Sequence, residues 1–182
     1  SRLECMDCHR QESGGALGPR THQLNGDAFY PSTGLTENQL VTWNDLGMFT
    51  PALDPAAIPS MPRARALGDV TASLEDRARA WLDSNCSSCH QPGTGIAGFD
   101  TRLWTPLASQ GLIWGPVRDD LGIPGLSVIT PGDPEASSIS IRMDAVGQNA
   151  MPPLAKSLAQ VPAVDLMGEW ILRVDPGLPQ NG

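Results

Sequence analysis

Residues 81–90 read WLDSNCSSCH, and the last five, Cys86 through His90, have the form Cys-x-x-Cys-His. Each thiol of such a pentapeptide can add to one vinyl group of a haem. The histidine beside the second thiol is then placed to ligate the iron from one side. The pattern occurs again near the start of the chain, at Cys5, Cys8 and His9. The chain has four cysteines, and the two motifs use all of them. Two copies with no spare cysteine predict two covalently attached c-type haems.

Other uses of paired cysteines stay open on the residues alone. Two Cys-x-x-Cys pairs could hold one tetrahedral zinc, although the pairs lie much further apart in sequence than is usual for such sites. Zinc also gives no reason for a histidine directly after each pair. A redox-active dithiol and two structural disulfides are further alternatives.

The composition sets bounds on the rest. A chain of 182 residues is long enough for one ordinary domain or two small ones. Its apolar fraction of 40%, with one Tyr and three Phe, is a thin supply for two cores. Two buried porphyrins would complete them. With 19 Gly and 17 Pro, helices should be separated by long, wound loops. The net charge of −8 argues against nucleic acid and anionic membrane surfaces as partners, and for a basic protein surface. No transmembrane segment is expected, because no apolar run approaches bilayer length. No leader is visible ahead of Cys5, so a mature or trimmed product is expected.

In chain order, Thr36-Glu37-Asn38-Gln39 predicts a capping box, with an apolar helix face at Leu40, Val41, Trp43 and Leu46 and a stop at Gly47. Residues 48–70 are proline-rich loop and carry Met48 and Met61, two thioethers available to an iron. Met61 is the favoured one, because Pro62 after it keeps the segment extended as a strap. Ser73 predicts a second cap, on the helix that delivers Cys86, Cys89 and His90. Short strands are expected at 112–114 and 126–129, and Asp133-Pro134 suggests a further helix start. Ile139, Ile141 and Met143 read as packing residues. The closing helix is expected from about Pro162 to Val174. Just before it stands Met151-Pro152-Pro153.

These motifs resemble class I cytochromes c, and the whole chain resembles bacterial di-haem c-type cytochrome modules. The resemblance rests on both CxxCH motifs, the Leu17-Gly18-Pro19 stretch, Thr130-Pro131-Gly132-Asp133-Pro134 and the Met-Pro-Pro loop. It implies an all-α fold of two class I cytochrome c-like helical haem domains in tandem, with long loops and a small β-hairpin in the second. The expected domains are 1–72, shortened, and 73–182.

It further implies that Cys5, Cys8, Cys86 and Cys89 bind the haems. His9 and His90 would be proximal ligands, and Met151 the sixth ligand of the second iron. Met61 would close the first iron, with Met48 and His22 as runners-up; the bland reading of His22 is a loop-pinning histidine. Pro19 would present its carbonyl to the ring N–H of His9. The function implied is electron transfer between exported redox partners, such as a periplasmic quinoprotein or other dehydrogenase, in a bacterial periplasm. No catalytic residue is expected. The alternative is a di-haem peroxidase-like enzyme, open at the first iron because no Met-Pro-Pro exists in that half.

Overall fold

The computed structural model describes residues 6, 9–15, 17–96, 98–154 and 156–178. The chain divides into two compact units. One is residues 18–65, and the other combines residues 1–17 with 66–182.

Unit 18–65 begins with the short helix α1 (Thr21–Leu24), followed by strands β1 (Asp27–Tyr30) and β2 (Leu35–Asn38) and helix α2 (Gln39–Asp45). The two strands pair antiparallel, Phe29 opposite Thr36 and Tyr30 opposite Leu35. Their turn closes through the Thr33 and Gly34 amides on the Tyr30 carbonyl, with Gly34 at φ +70°. That left-handed conformation carries little cost for glycine. Asn38 ends β2 and caps α2, its side chain accepting from the Leu40 amide at 2.9 Å. Behind the hairpin, the buried Asn25 side chain donates to the Met61 carbonyl at 2.9 Å and accepts from Asn38. Leu24, Leu40 and Ile58 form the small core of this unit, with Met61, Phe49 and Leu53 packed against them.

The larger unit is built on helix α3 (Leu74–Cys86), which packs against the closing helix α5 (Val161–Ile171), with α4 (Ser138–Asp144) beside it. Ser73 caps α3, accepting from the Asp76 amide at 3.0 Å. Ala78 and Leu82 of α3 meet Ala163, Met167, Trp170 and Ile171 of α5. Leu112, Ile113, Val128, Ile129 and Met143 complete this core. No helix among the described residues is long and apolar enough to cross a membrane.

The long segment after α3 is held by polar side chains rather than by regular structure. Asp83, 1% exposed, accepts from the Leu103 amide, and Arg79 donates to the Leu103 and Thr105 carbonyls. Asp100, 5% exposed, pairs with Arg102 at 2.7 Å and accepts from the Thr105 hydroxyl at 2.7 Å. Burial alone would raise the Asp100 carboxyl, but hydrogen bonds from Arg102 and Thr105, and the Arg102 charge, hold it below 3.8. Its contribution is therefore complete above the ordinary carboxylate range and fades as pH falls through the lower folded-state value. Asp100→Asn should cost about 2 kcal/mol at neutral pH, because two charge-assisted partners lose their acceptor. The gap from wild type should narrow in urea titrations run below pH 3.8. A gap that holds constant with pH would refute this account of the loop.

The expected all-α fold, two class I cytochrome c-like helical domains in tandem, is not what forms. The described residues hold five α-helices and a two-stranded antiparallel sheet, a small mixed α/β protein. Thr36 does not cap a helix but lies in β2, and the helix begins three residues later behind Asn38. The hairpin lies at 27–38 and not in the second half, where Ile113 and Ile129 make a single parallel bridge. Asp133 caps a turn, accepting from the Glu135 and Ala136 amides, and α4 starts only at Ser138. The closing helix is slightly shorter than expected.

Candidate functional site

Helix α3 ends at Cys86, and the chain turns so that the Cys89 and His90 amides both reach the Cys86 carbonyl, at 3.1 and 2.8 Å. The turn is fastened from outside. The Thr101 amide donates to the His90 carbonyl at 2.9 Å, and the Thr94 hydroxyl to the Cys89 carbonyl at 2.7 Å. The His90 ring lies flat on Phe99, with centroids 4.4 Å apart and planes 8° from parallel. Burial pushes the imidazole down to about 4, so it is neutral at pH 7 and offers a lone pair. Its Nδ1 is buried without a hydrogen-bond partner.

Cys86, His90 and Met151 all line one cavity, which is partly open to solvent. Its walls are mainly apolar, including Phe99, Val117, Val128, Ile139 and Met143, while Arg118, Asp119 and Arg142 bring charge. Met151 is half-buried, and its amide donates to the Arg142 carbonyl at 3.0 Å. A second cavity shares Met143 and Met151 and extends past Trp81 and Lys156.

The chemistry of these donors can be weighed. Burial, with Cys89 and Asp83 nearby, pushes the Cys86 thiol up to about 12. The free thiol is protonated at neutral pH. Among the described residues no three of His, Cys, Asp and Glu converge as a metal site. One neutral imidazole and one thioether on an apolar cavity cannot complete a coordination sphere. They suit a cofactor that brings its own planar donors, with thiols at its edge. The residues present fit a haem. The one incomplete feature is the Nδ1 of His90, since a metal-bound imidazole usually donates its other N–H to a partner.

The first motif is seen in part. Cys5 and Cys8 lie outside the described residues. His9 Nδ1 is 2.7 Å from the Gly15 carbonyl. A carbonyl can only accept, so Nδ1 carries a proton and Nε2 is the ring nitrogen left to face a metal. The carbonyl that orients His9 is thus Gly15's and not Pro19's. The Arg10 carbonyl takes the Ser13 and Gly15 amides, with Gly14 and Gly15 at φ +80° and +75°. This turn is joined to the second motif, because the Ser13 hydroxyl donates to the Ser88 carbonyl and the Arg10 guanidinium to the Thr94 carbonyl.

The candidate sixth ligands of a first iron belong to the other unit, 18–65. Met61 packs against its core, Met48 is 61% exposed, and His22 is buried, with its backbone carbonyl taking the Ala64 amide. Sequence reasoning passed over Phe99, Arg142 and the cavity-lining place of Met143. No family model, curated protein or solved structure matches this chain.

Proposed function

We propose that this chain is an electron-transfer protein carrying a c-type haem at each CxxCH motif. The observation that carries the reading is the convergence of Cys86, His90 and Met151 on one largely apolar cavity. These residues come from the end of α3 and from the loop before α5, and no local sequence preference would bring them together.

Bound there, haem supplies a one-electron iron couple. The chain's part would be to exclude water, to hold the neutral His90 imidazole through the Phe99 stack, and to offer the Met151 thioether. Held by both His90 and Met151, such an iron would favour its reduced state. Passing electrons is then the chemistry available. The two hydrogen bonds from the His9 turn to the Ser88 and Thr94 carbonyls support two haems placed near enough to exchange electrons. The resemblance to bacterial di-haem cytochromes supports the same function, although the tandem all-α architecture it implied is set aside. Export to a bacterial periplasm follows from covalent haem attachment, and the charge of −8 suits a redox partner with a basic face, such as a periplasmic dehydrogenase.

The test is the optical spectrum of the purified protein in its ferric state. A low-spin spectrum with the weak near-infrared band of sulfur bound to iron is expected. A colourless protein would end the proposal, and a dominant high-spin signal would favour the peroxidase-like reading instead.

A further inference from the structure

The loop that carries Met151 is tied on both sides to one residue of the neighbouring helix. Helix α4 is short, and its last carbonyls need donors from elsewhere. The Arg142 carbonyl takes two of them, the Met151 amide at 3.0 Å and the Lys156 ammonium at 3.1 Å. Lys156 also donates to the Met143 carbonyl. The Arg142 side chain works in the opposite sense, its Nη1 donating to the Asn149 carbonyl at 3.3 Å. Asn149 sits at φ +68°, a conformation that costs a non-glycine residue and must be held by its surroundings. The guanidinium is 18% exposed and is itself fixed by Asp119, at 3.3 Å. It lines the same cavity as His90 and Met151.

We propose that Arg142 is a positioning residue that presets the Met151 thioether in the cavity that His90 also lines. The inference rests on the haem reading of that cavity. A thioether is a weak ligand, and it competes with external ligands because its loop keeps its effective concentration high. Freeing Asn149 lets the residues around Met151 sample more conformations, and each added state lowers that concentration. Arginine suits the role because its rigid fork donates to Asn149 and Asp119 at once. A lysine could serve one of them.

The test is imidazole binding to the ferric, haem-loaded protein, followed by loss of the near-infrared sulfur-to-iron band. Arg142→Leu should bind imidazole at least tenfold more tightly than wild type, while keeping two haems and a cooperative urea transition. Arg142→Lys should fall between the two, and Arg173→Leu, an exposed substitution in the turn after α5, should match wild type. Unchanged imidazole affinity in Arg142→Leu would overturn the proposal. If that variant does not fold, Arg142→Lys decides, and wild-type affinity there overturns it equally. A wild-type protein without haem or without the sulfur-to-iron band would instead count against the haem reading itself.

Discussion

Replacing Cys86 and Cys89 together by serine is expected to remove one haem and to unfold the unit built on α3 and α5. The core of that unit borders the cavity. Val128 and Met143 belong to the buried cluster, and Phe99, Val117 and Ile139 pack against it, yet all five also face the cavity. A porphyrin in that place would take on the order of 400 Å² of apolar surface out of water, about 10 kcal/mol at roughly 25 cal/mol per Å². Whole domains are stable by only about 5–15 kcal/mol. Loss of the attachment points should therefore abolish cooperative unfolding and the near-ultraviolet dichroism of Trp81 and Trp170. A double variant that unfolds like wild type would show that the cavity is not filled by a structural cofactor.

Met151→Ala should leave the fold in place and change the iron. Among the described residues between α4 and α5, Met151 is the one that lines this cavity. Its removal should abolish the near-infrared band and lower the potential of that haem by on the order of 0.1 V, a modest part of the roughly 0.8 V that axial ligation commands. Met143 is the internal control. It lines the same cavity but is 4% exposed and packed in the core. Met143→Leu conserves volume and should keep the band, at a cost below about 1.5 kcal/mol. The opposite pattern, with the band lost in Met143→Leu and kept in Met151→Ala, would move the ligand to Met143.

What the sequence disclosed follows from how local each signal was. The CxxCH motifs are contiguous, and the Ser73 cap is decided within one turn of helix. Met151 stood out because two prolines follow it in a loop ahead of an apolar helix. The hairpin was hidden for a physical reason. Phe29 and Leu35 are each 62% exposed and no residue of either strand is fully buried, so apolar side chains stand on the outward face and blur the sequence alternation that marks a sheet. Thr36-Glu37-Asn38-Gln39 satisfied a capping pattern, yet cross-strand pairing of Thr36 with Phe29 shifted the cap to Asn38. The partner of His9 was misplaced because Gly15, not Pro19, closes its turn, an outcome of two consecutive left-handed glycines. Phe99 was invisible because its contact with His90 depends on how an irregular loop returns to the motif.

Covalent attachment of two haems is read straight from the mass of the denatured protein. The protein should be produced in a bacterium that exports it and attaches haem, then unfolded in acid so that anything non-covalent is lost. The account predicts the mass of the 182-residue polypeptide plus two haems, with one addition remaining in Cys86→Ser, Cys89→Ser. A mass equal to the bare polypeptide would contradict it.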